Sequence, residues 1–305
     1  MVKVKIGSYL ESFQNCGEKI AIKGLDEFLQ PGDNLYVDKK TGLVSSALSS
    51  TPEEILDYWT KKIFTSNSIE DYSALRPFAI GRLTYAVRFL LDYISEHPEC
   101  SGRVFCDFAT GQGVLPKILK TQPEAIKWNI GCTEGSHQLY QEMHSAGFNS
   151  YFGMLGDGSL EEFTVDYATL TWTLCNCIKP LEVLLDIRRH IKDGGLLLVA
   201  ESSRLLVPFK KSLSDLLTNR HPADTHPFYW SKNSLSALLM CAGFEPVAVN
   251  RYFDSDVLTI IAKKNPMLPQ KDFEVNCDEA EVVLNFFGEY VKENIFFERL
   301  RLNQF

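Results

Sequence analysis

The sequence lacks a long apolar run and an excess of basic residues, and its first residues do not have the pattern expected of a secretory signal. No stretch of about 18 uninterrupted apolar residues occurs in the 305 residues, so no membrane-spanning helix is predicted. The N-terminus has no apolar core of the roughly 7–15 residues that a secretory signal needs, and we expect a cytoplasmic protein. A formal net charge of −8 provides no overall basic field, so neither nucleic acid nor a membrane surface is an expected partner.

The eight cysteines also lack the pattern of a metal or disulfide framework. Several of them lie inside apolar, strand-like runs, as reduced core thiols do. Cys175 and Cys177 are spaced C-x-C, and no second pair follows at the spacing of a zinc ribbon. We therefore predict no metal site.

Composition divides the chain into three predicted parts. Residues 1–66 are turn-rich and predict a small appendage, with hairpin strands near 35–37 and 43–44 and a helix opened by Thr51. Residues 67–264 are predicted to form the main domain, and residues 265–305 a helical extension. The apolar stripe of this last helix is expected to pack on its own chain, with a homodimer interface as the alternative.

Strand-like and helix-like segments alternate through the main domain with short loops between them. The predicted strands are 104–108, 127–134, 149–152, 167–171, 196–200, 246–252 and 257–262, and the predicted helices are 68–96, 113–121, 136–146, 180–191 and 231–242. Such alternation is typical of an α/β fold with both faces of a parallel sheet covered. We expect a Rossmann-like, doubly wound, mostly parallel seven-stranded sheet with an antiparallel closing strand.

A glycine loop follows the first of these strands. Val104–Phe108 contains Asp107, and Gly111 and Gly113 precede a predicted helix. Glycines let the backbone approach a ligand closely, and the N–H groups of a helix N-terminus favour polar atoms. Pro116 stands where a dinucleotide-binding loop has its third glycine, which disfavours a nicotinamide cofactor. An acid before the loop indicates a ligand with a cation and an amine, such as S-adenosylmethionine.

Acidic residues recur at three successive strand ends. Asp107 lies at the end of the first strand, Glu134 ends the second and Asp157 follows the third. Glu134 is placed to accept hydrogen bonds from both hydroxyls of a ribose, and Asp157 suits the exocyclic amine of adenine. A single acid near a loop is usually a surface residue, but three in register with a glycine loop predict a nucleoside site.

These motifs resemble those of class I S-adenosylmethionine-dependent methyltransferases over about residues 70–263. The glycine motif of that family, D-x-G-x-G-x-G, is matched by residues 107–113 with Ala109 in the first glycine's place. Residues 134–136, 155–158 and 191–195 resemble the family's ribose segment, adenine turn and lysine-x-glycine-glycine bend. The resemblance implies S-adenosylmethionine as cofactor. The candidate cofactor residues are Asp107, Ala109, Thr110, Gly111, Gly113, Glu134, Gly135, Asp157, Gly158, Thr171 and, ahead of the first strand, Tyr72 and Arg76.

More narrowly, the chain is similar to bacterial methyltransferases that modify sugars or other small polar precursors of surface polysaccharides and natural products. Residues 10–45 resemble the N-terminal zinc ribbon of many such enzymes, with Cys16 as the one remaining cysteine, so no zinc is expected. Residues 174–176 stand where many relatives have Leu-Glu-His. That difference removes a histidine from the position after strand four.

Methyl transfer to a small polar acceptor requires in-line geometry, and a general base adds about 10²–10⁴-fold. The candidates lie after predicted strands four and five: Asn176, His221, His226 and Tyr229. We predict His226 as the base, with His221 and Tyr229 positioning the acceptor; for a loop histidine a structural role is the alternative. A cofactor-binding subunit without turnover and a nicotinamide oxidoreductase are the competing functions.

Overall fold

The computed structural model describes residues 1–13, 18–25, 34–47, 51, 54, 57–58, 77–203, 226–268 and 273–303. The strands in these ranges are β1 (Val2–Lys5), β2 (Lys19–Ala21), β3 (Asn34–Asp38), β4 (Val44–Ala47), β5 (Val104–Phe108), β6 (Asn129–Glu134), β7 (Asn149–Phe152), β8 (Val165–Thr171), β9 (Ile191–Glu201), β10 (Phe228–Tyr229), β11 (Phe244–Val249), β12 (Leu258–Lys264) and β13 (Glu274–Cys277). The α-helices are α1 (Ile6–Glu11), α2 (Pro77–Glu96), α3 (Val114–Lys120), α4 (His137–Ser145), α5 (Pro180–His190), α6 (Lys232–Cys241) and α7 (Ala280–Asn303).

A seven-stranded sheet in the order β11-β12-β9-β8-β5-β6-β7 forms the centre of the molecule. The strands from β9 to β7 pair in parallel, and β12 runs antiparallel to both of its neighbours. The predicted Rossmann-like, mostly parallel sheet with an antiparallel closing strand is confirmed. The chain turns back at β5, which lies between β6 and β8, and a ligand crevice is expected outside the carboxyl ends of the strands at such a reversal.

Helices bury both faces of this sheet, as the alternating pattern predicts. On β5, Phe105 packs with α2 and α3 residues such as Leu90 and Leu119, whereas Cys106 packs with Leu184 of α5 in the opposite core. The side chains of a strand alternate between the two faces, and both faces are covered here, so every residue of β5 except Asp107 is apolar. Burial on both faces leaves only the strand ends for chemistry.

The fifth strand of the main domain, β9, is longer than the predicted strand at residues 196–200. The bend expected at residues 193–195 lies inside β9, which begins directly after α5 at Ile191. The register with β8 shifts between the pairs Val165–Ile191 and Tyr167–Leu196, and Gly194 has a φ of 79° within that irregular stretch. The glycines therefore mark a bulge and not the start of the strand.

The predicted N-terminal hairpin, β3–β4, belongs to a small sheet in the order β10-β4-β3-β2. Helix α7 packs its apolar side on this sheet, where Val283, Phe287 and Tyr290 share a core with Leu35 and Val37. In addition, β1 pairs antiparallel with β13, a contact that the sequence analysis did not predict. The two ends of the chain therefore fold against one another.

No described helix is long and apolar enough to cross a membrane. Within the described ranges, no cluster of three or more His, Cys, Asp or Glu side chains is arranged to hold a metal ion.

Candidate active site

The carboxyl ends of β5, β6, β8 and β9 meet at one edge of the central sheet, where the loops after them carry most of the predicted site residues. Asp107, at the end of β5, is almost completely buried. Its Oδ2 accepts a 2.7 Å hydrogen bond from the Thr110 hydroxyl, and its Oδ1 accepts one of 2.6 Å from Thr169 of β8. Burial raises the pKa of Asp107 to about 7, although both hydroxyls act to lower it. Through its hydrogen bond with Thr110, the buried Asp107 side chain thus holds the glycine loop in place.

The loop itself uses left-handed backbone at Ala109, Gly111 and Gly113, with φ values of 51°, 56° and 67°. The N–H of Ala109 donates to the side-chain hydroxyl of Thr133, and the N–H of Thr110 donates to the Thr133 carbonyl, each at a distance of 3.0 Å. These two bonds hold Ala109 in a conformation that a residue with a Cβ rarely adopts. Glycine, which the motif D-x-G-x-G-x-G has at this position, adopts the same conformation without a steric penalty.

The two glycines of the loop have different roles. No atom of the described residues lies within 4 Å of the position that a Cβ on Gly111 would take, so that side of the loop is open. A Cβ on Gly113 would collide with the Met143 side chain of α4. Gly113 is therefore needed for helix packing, and its contact with a ligand stays a prediction.

Glu134, at the end of β6, is tied to the same loop. Its Oε2 accepts the N–H of Gly111 at 2.7 Å and its Oε1 accepts the N–H of Ser136 at 2.9 Å. Burial raises the pKa of Glu134, while these backbone donors act to lower it. Each carboxylate oxygen has a second lone pair, so Glu134 keeps the capacity to accept further hydrogen bonds.

The turn after β7 lies beside the Glu134 loop, because a Cβ on Gly135 would meet the Met154 side chain. Asp157 is exposed there, and its Oδ1 accepts the N–H of Ser159 at 2.8 Å. Gly158 has a φ of 75° in the same turn. The turn is anchored from α5, because Asp186 accepts the N–H of Gly156 at 2.8 Å.

On the β8 side of this sheet edge, Trp172 directly follows Thr171, the last residue of β8. It is a bulky residue with a φ of 50°, held by a 2.7 Å hydrogen bond from its N–H to the carbonyl of Ala200. The guanidinium of Arg82, on α2, lies 4.1 Å from the centre of the Trp172 ring, in cation–π contact. Strained backbone of this kind is concentrated at functional sites.

Two of the predicted catalytic residues are in contact. His226 Nδ1 lies 3.1 Å from Asn176 Oδ1, and Asn176 Nδ2 donates to the Trp172 carbonyl over 3.3 Å. The ring of Tyr229 lies edge-on to that of His226, with the ring centres 6.1 Å apart. Tyr229 itself is buried in the core of the small sheet.

Three predicted residues, Tyr72, Arg76 and His221, lie outside the described residues. Residues that the geometry brings to the site but that were not predicted include Thr169, Trp172, Asp186 and Glu201. Glu201 carried a usable signal, since it is an acid at the end of a strand, as Glu134 is. Thr169 and Asp186 lie within regular elements and carry no such signal.

The family described as "Methyltransferase domain" matches residues 81–249 of the chain. Among solved structures, 1,6-didemethyltoxoflavin-N1-methyltransferase from Burkholderia thailandensis, with 1,6-didemethyltoxoflavin and S-adenosylhomocysteine bound, is 14% identical, with 78% of this chain and 98% of that chain covered and a TM-score of 0.49. Magnesium protoporphyrin IX methyltransferase from Synechocystis, with bound S-adenosylhomocysteine, is 12% identical, with coverage of 69% and 94% and a TM-score of 0.47. Human N-acetylserotonin methyltransferase with S-adenosylmethionine is 17% identical, with coverage of 69% and 66% and a TM-score of 0.43. No curated protein sequence matches the chain.

Proposed function

Since the chain belongs to the methyltransferase-domain family, which matches more than half of it, we propose that it transfers a methyl group from S-adenosylmethionine to a small polar acceptor. The observation that carries this proposal is the pairing of Gly111 with Glu134 across the ends of β5 and β6. The 2.7 Å hydrogen bond from the Gly111 N–H to Glu134 Oε2 joins an open stretch of left-handed backbone to a buried carboxylate. S-adenosylmethionine is a nucleoside with an amino-acid arm, so it needs open space for the arm and an acceptor for its ribose hydroxyls.

The residues at this edge fit the cofactor. Glu134 has lone pairs left for ribose hydroxyls, and the exposed Asp157 is available to an exocyclic amine. The open side of Gly111 leaves space for an amino-acid arm over the loop. When bound, S-adenosylmethionine supplies a methyl group on a positively charged sulfur.

His226 is the proposed general base, and Asn176 sets its tautomer. The Trp172 carbonyl can only accept a hydrogen bond, so the NH₂ of Asn176 faces it and the amide oxygen faces His226. That oxygen requires a proton on Nδ1, and in the neutral ring the lone pair is then on Nε2. Nε2 is thus the atom that takes the acceptor's proton.

The proposed acceptor is a sugar or sugar-nucleotide precursor of a surface polysaccharide or natural product. The polar groups near the end of β8, namely Arg82, Asn176 and His226, supply donors and acceptors for a hydroxyl-rich molecule. The Trp172 indole beside them adds an apolar ring, held in place by a 3.3 Å hydrogen bond from its N–H to the Asp256 carbonyl. Another small metabolite with an oxygen or nitrogen nucleophile is the alternative.

Calorimetry with S-adenosylhomocysteine tests the cofactor. Glu134→Gln removes the charge beside the ribose and is expected to weaken binding at least about tenfold. Glu182→Gln, at a half-exposed carboxylate on α5, is the matched control and leaves binding unchanged. Folded wild-type protein that gives no binding heat at millimolar ligand would contradict the proposal.

The acceptor is tested by incubating the protein and S-adenosylmethionine with a panel of nucleotide sugars and, separately, of small amines and phenols. Formation of S-adenosylhomocysteine only with nucleotide sugars supports the sugar proposal, and formation only with the second panel overturns it. His226→Gln should lower kcat by about 10²–10⁴-fold with little change in cofactor affinity. Tight cofactor binding without turnover of any acceptor would instead favour a non-catalytic subunit.

A further inference from the structure

A buried carboxylate that the proposed mechanism does not use lies directly beneath the turn that carries Asn176. We propose that Glu201 is a positioning residue, whose carboxylate holds the turn Leu174–Asn176 so that Asn176 fixes the His226 ring. This inference rests on the proposed function of His226. Its effect on the ring is nevertheless measurable without an acceptor.

Glu201 is the last residue of β9 and has no exposed surface. Its Oε1 accepts the N–H of Leu174 at 2.7 Å, and Leu174 begins the 3₁₀ turn Leu174–Asn176 after β8. The backbone N–H groups of Thr173 and Cys175 also stabilise the charged form of Glu201. One carboxylate therefore faces the N–H groups of three successive residues, Thr173, Leu174 and Cys175, and supplies the hydrogen-bond acceptor that a buried N–H such as that of Leu174 needs.

The turn passes this constraint to the base. The N–H of Asn176 bonds to the carbonyl of Thr173 at 3.0 Å, and its side chain is held between Trp172 and His226. The turn has no side-chain cap of its own. Displacement of its first residue therefore moves Asn176 relative to the His226 ring.

A carboxylate that holds a turn in an apolar core is energetically unfavourable, because burying a charge carries a large desolvation penalty. Burial raises the pKa of Glu201 to about 7, although hydrogen bonds from the Cys175 thiol and from backbone N–H groups act to lower it. Oε2 has no hydrogen-bond partner of good geometry among the described residues. A group held at such cost at the end of a central strand points to a functional requirement.

Three titratable side chains face Glu201 from the elements around it. Cys175 lies in the turn and Cys177 directly follows it, and their thiol pKa values are raised by burial first and by the Glu201 charge second. Arg82 comes from α2, where burial lowers its pKa and the charges of Asp256 and Glu201 act to raise it. The guanidinium favours the ionised form of Glu201.

The experiment compares Glu201→Ala and Glu201→Gln with wild type by ¹⁵N NMR of the His226 ring, with S-adenosylhomocysteine calorimetry in parallel. Glu201→Ala removes the acceptor of the Leu174 N–H, and we expect His226 to lose its preference for the Nδ1–H tautomer. Glu201→Gln keeps an oxygen at the same reach and should restore that preference. Binding of S-adenosylhomocysteine should stay within about twofold of wild type in both variants, since neither touches the 107–113 loop.

Asp166→Ala is the matched control. Asp166 also accepts two backbone N–H groups, from Arg103 and Val104 at 2.8 and 2.9 Å, but at the start of β8. It should lower Tm without altering the His226 signals. Should Glu201→Ala fail to fold, Glu201→Asp replaces it, because the shortened carboxylate does not reach Leu174 and should give the same tautomer change.

An unchanged His226 tautomer in folded Glu201→Ala or Glu201→Asp overturns the inference, as does an equal change in Asp166→Ala. This outcome is separate from failure of the proposed function. A wild-type protein that does not bind S-adenosylhomocysteine, but whose His226 tautomer responds to Glu201, would refute the methyltransferase function and leave the positioning role intact.

Discussion

The hydroxyl of Ser46 donates a 2.8 Å hydrogen bond to the backbone carbonyl of His226, across 180 positions of sequence. Next to it, the N–H of Ser46 donates to the carbonyl of Pro227 at 3.0 Å, where β4 pairs with β10. The N-terminal sheet therefore holds the backbone on which the proposed base is carried. The N-terminal segment is thus structurally part of the candidate active site.

Ser46→Ala should disturb His226 without affecting the cofactor site. Loss of one partly buried hydroxyl contact is expected to lower the free energy of unfolding by about 1 kcal/mol and to change the NMR signals of the His226 ring. Ser45→Ala is the control, since the neighbouring Ser45 hydroxyl lies 3.3 Å from Lys19 Nζ. If the two variants gave identical His226 spectra, the Ser46 contact would have no role in positioning the ring.

Gly111→Ala should separate cofactor binding from stability. Both Gly111 and Gly147 have positive φ, 56° and 79°, and neither has a described atom within 4 Å of its Cβ position. Alanine at either site should cost about 1–2 kcal/mol in the free energy of unfolding, measured in urea. Only Gly111→Ala should weaken S-adenosylhomocysteine binding, by about tenfold or more, because its methyl enters the proposed ligand space. Equal affinities in the two variants would contradict this placement of the cofactor.

The stability of the ligand-free protein should contain a component that falls as pH rises from about 5 to about 7. Burial raises the pKa of Asp107 from 3.8 to about 7, and that of Glu201 from 4.5 to about 7. The folded chain therefore binds these protons more tightly than the unfolded chain does. The stabilisation is complete below the unfolded pKa values and is lost as pH rises through the folded ones.

Urea unfolding between pH 5 and pH 8 measures this component. Asp107→Asn should make the pH dependence shallower over that window. Asp166→Asn serves as the control, because the Lys192 ammonium and the Val104 and Arg103 N–H groups outweigh burial and lower the pKa of Asp166. Its contribution is present above the unfolded pKa and is lost only at more acidic pH. A steeper slope in Asp107→Asn would refute the assignment.

Gly42→Ala should destabilise the contact between the two ends of the chain. Gly42 has a φ of 62°, and its Cβ would lie 2.7 Å from the backbone oxygen of Asp278. The Asp278 carboxylate accepts hydrogen bonds from Ser231 at 2.6 Å and from Asn233 at 2.7 Å, so it is not readily displaced.

Gly24→Ala provides the comparison for this variant. Its φ is 82°, but its Cβ would meet only the Val291 side chain, at 3.2 Å. We expect Gly24→Ala to lose about 1–2 kcal/mol in urea unfolding from backbone strain, and Gly42→Ala to lose clearly more. Equal losses would show that Asp278 yields to the added methyl.

The sequence by itself determined the central sheet and the location of the cofactor loop. Apolar strands alternating with amphipathic helices specify a parallel sheet, because each element must bury its own face against the next. Parallel strands bring their carboxyl ends to one edge, so Asp107 and Glu134 could be expected together from spacing alone. The proximity of Asn176 to His226 follows from the same edge, although their hydrogen bond does not.

Only the tertiary structure decided which distant segments meet. The β1–β13 pair, the β4–β10 pair and the Ser46–His226 bond join residues from opposite parts of the chain. A local pattern gives the period of an element but not its partner, since partners are chosen by the packing of the whole core. For the same reason, the burial of Glu201 and the contact of Gly113 with Met143 could not be read from residue type. Both depend on residues that are distant in sequence and packed nearby in the fold, and not on the neighbours in sequence.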